Sequence, residues 1–271
     1  MKLKKTLIAT GVAAIVLSCA TNPFSGKKTM AFVSNDQLFP TSFAQYNQFL
    51  SENKVVTGTA DANMVTRVGQ KIAKAAERYL DANGYQGYLN DYKWEYNLVN
   101  DETVNAWCMP GGKIVVYTGI LPVTKSEAGL AAVVGHEVAH ALANHGQQRM
   151  SAAYVQQGVA LAGNVALSGD QKSLDIFNQA YGVGSQVGVM LPFSRSHETE
   201  ADEIGLYLMA IAGYNPDEAA ELWKRMNALG GEAPPEMLST HPSNESRIAN
   251  LTALAPKAKA EAAKFGVTSF K

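Results

Sequence analysis

Two histidines and a glutamate in the middle of the chain have the spacing of a hydrolytic zinc site. His136 and His140 are four residues apart, so on a helix their side chains lie about 40° apart and can hold one cation together. Glu137 lies about 100° round the helix from His136, where its carboxylate can reach a metal-bound water without ligating the metal. The motif predicts zinc-dependent hydrolysis with Glu137 as the general base. A chance occurrence of the five-residue pattern is the alternative.

A helix over about residues 126–145 is predicted to carry this motif. Ser126 suits the N-cap position, and an apolar run over residues 131–134 leads into the first histidine. Three strand-like segments precede the helix, and a Pro-Gly-Gly sequence between the last two indicates a tight turn. These segments are residues 93–99, 104–109 and 113–118, with the turn at 110–112.

Two histidines do not complete a zinc site, because a hydrolytic site usually has three protein ligands and one position for water. His145 would point about 140° away from His140 on the same helix, so we expect it at the surface or beside a ligand. A later helix, predicted over residues 196–212, places Glu198 and Asp202 on its apolar side, where burial requires a cation or a hydrogen-bond donor. Glu198 is therefore the predicted third ligand, with a structural ion pair as the alternative. Asp202 is predicted to orient a ligand histidine by accepting its N–H.

The rest of the chain is predicted to supply the scaffold. With 271 residues and 46% hydrophobic content it can bury a full core, and its formal net charge of −1 argues against a nucleic-acid partner. Gly205 is expected to let its helix approach another closely. Residues 151–192, rich in glycine and alanine, favour loosely packed scaffold helices, with a cover over the site as the alternative. Further helices are predicted over residues 36–53, 60–82, 216–229 and 243–255.

The N-terminus has the pattern of an export signal. A lysine-rich start is followed by an apolar stretch over residues 7–17, which is too short to span a membrane as a mature helix. The sequence Leu17-Ser18-Cys19 resembles the lipobox of bacterial lipoproteins, which implies cleavage before Cys19 and lipid attachment to its sulfur; an ordinary secretory signal is the alternative. The predicted organisation is a signal peptide (1–18), a tether (19–34), a zinc metallopeptidase domain (35–257) and a C-terminal tail (258–271).

Taken together, these motifs resemble the zinc endopeptidases related to HtpX and the CAAX prenyl proteases. The lipobox and the absence of other apolar spans of about 20 residues indicate the periplasmic lipoprotein branch, which includes LoiP and BepA, and argue against intramembrane CAAX processing. The matching segments are His136-Glu137-x-x-His140, Glu198-x-x-x-Asp202, Asn105-Ala106-Trp107 before Pro110-Gly111-Gly112, and Thr240-His241-Pro242-Ser243 before Arg247-Ile248.

The resemblance implies a mostly helical α+β fold, a zincin-type domain of the gluzincin group with a small sheet packed on the motif helix. It implies one zinc ion per chain on His136, His140 and Glu198. The strand containing Asn105, Ala106 and Trp107 would bind an extended peptide substrate along its edge. His241 would either plug the site or stabilise the oxyanion; a plain turn residue is the alternative.

The expected function is a zinc endopeptidase of the bacterial cell envelope that degrades misfolded or misassembled envelope proteins. It is expected on the periplasmic side, anchored by lipid on Cys19, with sorting to the outer membrane. The alternative is a periplasmic chaperone-like factor for outer-membrane protein assembly, working with the assembly machinery, in which proteolysis is latent or secondary.

Overall fold

A computed structural model describes residues 19–171, 191–229, 237, 241 and 245–271. The predicted signal peptide, much of the glycine- and alanine-rich segment, and Thr240, Pro242 and Ser243 lie outside the described residues. The chain divides into two compact units. The described part of the first lies within residues 19–34 and 144–197, and that of the second within Asn35–Ala143 and Glu198–Lys271. Within the described part, none of the helices has the length and apolar character needed to cross a membrane.

The helices are named in chain order, and the structure confirms that the fold is mostly helical. All of them except α5 and the first residues of α6 belong to the second unit. They are α1 (Asn35–Glu52), α2 (Ala60–Ala82), α3 (Leu121–Thr124), α4 (Glu127–Leu142), α5 (His145–Leu167), α6 (Leu191–Ile211), α7 (Asp217–Ala228) and α8 (Glu245–Lys264).

The second unit contains one four-stranded mixed sheet in the order β3-β4-β6-β5. Strand β6 is parallel to β4 and antiparallel to β5, and Gly111 and Gly112 form the predicted turn between β5 and β6 with φ of 83° and 89°. The three predicted strands are confirmed. Strand β3 was not predicted, because a strand of two residues is too short to show an alternating pattern in the sequence. The strands are β3 (Val55–Val56), β4 (Glu95–Val99), β5 (Ala106–Met109) and β6 (Lys113–Tyr117).

Helix α4, which carries the two-histidine motif, lies at the centre of this unit. Its predicted cap is present, because the Ser126 side chain accepts a hydrogen bond from the Gly129 amide at 3.1 Å. The helix packs on β5, α2 and α7, and every residue from 129 to 142 is buried. It ends at Leu142, three residues before the predicted end, because Asn144 takes a left-handed conformation with φ of 56°.

Helices α4 and α6 meet at two glycines. A Cβ added at Gly205 would lie 2.9 Å from the main-chain nitrogen of His136, and one at Gly135 would lie 2.9 Å from the Gly205 carbonyl oxygen. The prediction that Gly205 permits a close approach is confirmed. The approach brings the acidic side of α6 against the histidines of α4.

The structure differs from the sequence-based expectations in three places. The predicted tether contains an antiparallel strand pair, β1 (Cys19–Thr21) and β2 (Lys28–Met30). Helix α8 continues into the predicted tail as far as Lys264. Ala258 and Ala262, four residues apart on one face of the helix, are both buried. His145 is buried and stacked on the His197 ring at 4.1 Å, so the expected surface position is wrong.

Candidate metal centre

The structure brings the three predicted metal ligands together in the second unit. The Nε2 atoms of His136 and His140 lie 3.1 Å apart on successive turns of α4. The carboxylate of Glu198, on α6, has Oε2 3.3 Å from His136 Nε2 and Oε1 3.3 Å from His140 Nε2. All three side chains are buried.

The separations between these atoms fit a zinc ion. Four donors placed tetrahedrally around zinc at its usual bond lengths of about 2.0–2.1 Å lie about 3.3 Å from one another. The two histidine nitrogens lie 3.1 Å apart, and each of them lies 3.3 Å from a different oxygen of the Glu198 carboxylate. Imidazole nitrogens and a carboxylate are also the ligand types that zinc prefers, so geometry and chemistry both match.

Glu137 has a buried carboxylate oxygen beside this cluster. Its Oε1 atom has no hydrogen-bond partner among the described residues, and the side chain is 5% exposed. The His241 Nε2 atom lies 3.4 Å away, beyond the usual range of a strong hydrogen bond. A buried acceptor without a donor is uncommon in folded proteins, so the Glu137 oxygen stands out among the described residues.

The His241 ring lies between Glu198 and Glu137. Its Nδ1 atom is 2.9 Å from Glu198 Oε2 and 3.1 Å from His136 Nε2, so it belongs to the same group of four potential ligand atoms. The His241 amide donates to the carbonyl of Met237, whose own amide donates to the Val104 carbonyl just before β5. With His241 the cluster offers four potential ligand atoms, the number of protein ligands in a closed zinc site, whereas an open site has three.

Asp202 contacts the cluster through His136, and Arg247 contacts Asp202 in turn. Asp202 Oδ1 lies 3.0 Å from His136 Nδ1, the contact expected of a carboxylate that orients a ligand histidine. Arg247 donates to both Asp202 oxygens, at 2.7 and 2.8 Å. Its guanidinium lies over the Trp223 ring at 3.7 Å.

Burial, hydrogen bonds and neighbouring charges shift the pKa values of the two carboxylates and of His136. Burial raises the pKa of Glu198, but hydrogen bonds from His136, His140 and His241 outweigh it and hold that pKa far below its usual range. Burial also raises the pKa of Asp202, and the positive charge of Arg247 together with the contact to His136 brings it below the usual value. For His136, burial lowers the pKa, whereas Asp202 and Glu198 raise it to about 9. Both carboxylates are therefore ionised at neutral pH.

Residues 60–255 match the sequence profile of peptidase family M48. The match covers most of the chain and includes strands β4, β5 and β6 of the sheet, α4, α7 and the helix of Glu198. The chain belongs to peptidase family M48. The described residues accordingly form a zincin-type metalloprotease domain with a small mixed sheet, as the sequence predicted.

Curated relatives of this M48 chain come from mitochondria and from bacteria. The mitochondrial metalloendopeptidase OMA1 of Schizosaccharomyces pombe is 38% identical over 190 residues, covering 69% of this chain and 53% of that protein. OMA1 of Saccharomyces cerevisiae is 35% identical over 204 residues, covering 72% and 56%. The beta-barrel assembly-enhancing protease of Escherichia coli is 24% identical over 267 residues, covering 92% and 52%. The chain thus spans about half the length of these relatives, and its place in a periplasmic lipoprotein branch stays a prediction.

The predicted substrate strand of the M48 domain lies at an edge of the sheet. Strand β5 is last in the strand order and pairs with β6 alone among the described strands. Asn105 and Ala106 are buried, and the Trp107 indole packs edge-on against Phe49 at 5.0 Å and Tyr46 at 6.0 Å. The Trp107 ring is therefore partly buried and packed against the core, and binding of a peptide along this strand stays a prediction.

From the family resemblance, Arg247 was expected to aid the region of His241, and Trp223 was missed. Arg247 is basic and follows a turn, so its pattern resembles that of any helix start. Trp223 lies on the apolar face of α7, where an aromatic residue normally indicates core packing. Nothing in the sequence positions of Arg247 and Trp223 indicated that their side chains pack together next to His136.

Proposed function

We propose that this protein is a zinc-dependent endopeptidase. The observation that carries the proposal is the cluster of His136, His140 and Glu198, whose donor atoms lie 3.1–3.3 Å apart. Beside it lies a Glu137 oxygen that has no hydrogen-bond partner among the described residues. The names of the relatives support it, because the OMA1 proteins are metalloendopeptidases and the E. coli relative is a protease.

In the proposed mechanism His136, His140 and Glu198 would hold the zinc ion. When bound, zinc would lower the pKa of a water molecule and polarise the peptide carbonyl. Glu137 Oε1 accepts a proton from the attacking water and then returns it to the amine that leaves. Asp202 accepts the Nδ1 proton of His136, which directs the Nε2 lone pair of that ring into the cluster. The edge of β5 aligns an extended peptide through main-chain hydrogen bonds.

Glu137→Gln tests this assignment. The substitution keeps the shape of the side chain and removes its basicity, so zinc content and melting temperature should stay as in the wild type. Peptide hydrolysis should fall by about 10²–10⁴-fold, the usual contribution of a general base. Glu221→Gln, at an exposed glutamate of α7 paired with Lys224, is the matched control and should retain full activity. Unchanged hydrolysis by zinc-loaded Glu137→Gln protein would refute the proposed role.

We further propose that the enzyme acts in the bacterial cell envelope. It would be held on the periplasmic side of the outer membrane by lipid on Cys19, and would degrade misfolded or misassembled envelope proteins. The lipobox-like sequence supports the anchor, and the similarity to the beta-barrel assembly-enhancing protease supports the substrate class. Cys19→Ser should abolish labelling by a fatty-acid analogue and move the protein out of the membrane fraction. Labelling equal to that of the wild type would contradict the anchor.

A second candidate function is chaperone-like binding during outer-membrane protein assembly, with proteolysis latent or secondary. It is favoured by the position of His241, whose Nδ1 lies among the ligand atoms as a plug would. Cells that carry only the Glu137→Gln protein distinguish the two functions. Full rescue of envelope-protein assembly would favour binding, and failure to rescue would favour cleavage.

A further inference from the structure

Arg247 is a buried side chain that contacts several residues of the candidate metal centre. It lies near the start of α8 and is 7% exposed. Its guanidinium group touches residues on α4 and α6 and the main chain of the His241 segment. These contacts are with Asp202, Glu198, the two ring nitrogens of His136, and the His241 carbonyl oxygen.

The distances show which of these contacts dominates. The two bonds to Asp202 measure 2.7 and 2.8 Å and use Nη2 and Nε, so the planar fork of the arginine matches both carboxylate oxygens. The contacts to the His241 carbonyl, at 3.2 Å, and to Glu198, at 3.4 Å, are longer. Arg247 therefore acts mainly on Asp202.

Trp223 covers one side of the Arg247 guanidinium group. The guanidinium carbon is 3.7 Å from the centre of the indole ring, a stacking distance at which a cation is attracted to the ring face. The Trp223 side chain is buried and also lies edge-on to the His136 ring at 6.1 Å. One aromatic side chain thus borders both the arginine and the histidine.

We propose that Arg247, packed against the Trp223 ring, is a positioning residue of the metal site: it fixes the Asp202 carboxylate so that Oδ1 stays on the Nδ1 proton of His136. The inference rests on the proposed zinc site. A carboxylate with a single histidine donor could rotate about its side-chain bond. Two further donors from a rigid fork prevent that rotation, and a lysine at the same position could supply only a point charge.

Zinc affinity measured on the purified protein tests the inference without relying on activity. The dissociation constant is obtained by competition with a chromophoric chelator for the wild type, Arg247→Lys and Arg247→Met. Loss of a group that orients a ligand histidine typically weakens metal binding about 10–100-fold. We expect a loss in this range for Arg247→Met and a smaller one for Arg247→Lys. In an Asp202→Asn background, Arg247→Met should cause little further loss, because the arginine acts through Asp202.

Arg225→Met is the matched control. Arg225 also pairs with a carboxylate, that of Glu218 at 2.6 Å, and donates to the carbonyls of Val123 and Thr124, but it does not touch the cluster. Its replacement should lower the melting temperature and leave zinc affinity unchanged. If Arg247→Met does not fold, Trp223→Leu and Arg247→Lys still carry the test, and both should weaken zinc binding.

The outcomes separate this inference from the proposed function. Wild-type zinc affinity in folded Arg247 variants would overturn the inference alone and leave Arg247 with a structural role. An additive loss in the double variant would likewise show that the arginine does not act through Asp202. A wild-type protein that binds no zinc at all would overturn the proposed function.

Discussion

Gly205 is the point of contact between the two helices that supply the candidate ligands, so adding one methyl group there tests how the metal centre is assembled. In Gly205→Ala the new Cβ would lie 2.9 Å from the His136 nitrogen and 3.0 Å from the Gly135 carbonyl carbon. Both are main-chain atoms of α4 and cannot rotate away. To reach the ordinary separation of about 3.5–4.0 Å, α6 must move back from α4 by about 0.5–1 Å.

The size of the effect follows from two opposing contributions. Overpacking costs about 1–3 kcal/mol, and the upper part of this range applies because the obstructing atoms belong to a buried helix backbone. Alanine regains about 1 kcal/mol through its better helix propensity. The net loss of unfolding free energy is therefore about 2 kcal/mol, which lowers the melting temperature by about 4–8 °C in a chain of this size. A shift of about 1 Å in Glu198 should also reduce hydrolysis by about 10²-fold.

Three measurements check this prediction: the melting temperature of the zinc-free protein, the zinc dissociation constant, and the rate of peptide hydrolysis. Gly158→Ala is the control, because that glycine lies within α5 and has nothing within 4 Å of its added Cβ; the variant should be as stable as the wild type or slightly more so. If Gly205→Ala retained wild-type stability and zinc affinity, the close approach would not be what places Glu198 against the histidines.

Two further predictions concern the scaffold. Tyr46→Phe removes the hydroxyl that donates to the Ile114 carbonyl at 3.1 Å and accepts from Asn97 Nδ2 at 2.9 Å; it should cost about 1–2 kcal/mol in urea unfolding, and an unchanged midpoint would contradict the prediction. Glu127→Gln tests how the stability of the protein depends on pH. The hydrogen bond from Arg67 lowers the pKa of Glu127 below its usual 4.5, and this effect is larger than the opposite effect of burial. A lowered pKa in the folded state means that stability is present above pH 4.5 and is lost as the pH falls through the folded pKa. The variant's melting temperature should therefore fall less steeply than that of the wild type as the pH drops below 4.5. The difference should be small, because Arg67 and Glu127 are both partly exposed, and equal slopes would refute the reasoning.

Local patterns made much of the second unit predictable. The cap at Ser126, the Pro-Gly-Gly turn and the strand segments are features that neighbouring residues specify by themselves, and the structure has them. The position of Asn144 shows the limit of such patterns. Its left-handed conformation ends α4 early, although asparagine also occurs within helices, so the sequence could not distinguish the two.

Long-range contacts explain what local patterns missed. The small, spaced alanines beyond residue 257 have no apolar stripe strong enough to predict a helix, yet α8 continues because Ala258 and Ala262 pack in the core. His145 is likewise buried, and its ring is stacked on His197, which is distant in sequence. In both cases the partner surface comes from elsewhere in the chain.

By itself the sequence determined which chemical groups the candidate site has: two histidines and a glutamate on one helix, and two acids on the apolar side of another. Those are properties of helical periodicity, which depends only on residues within a few turns. The tertiary structure decided how the groups combine. The contact at Gly205 sets the distance between the helices, and it brings the donors of α4 and α6 to separations near 3.3 Å. Only packing could place His241 among those donors and the Arg247 guanidinium over Trp223, because their partners lie far away in the sequence.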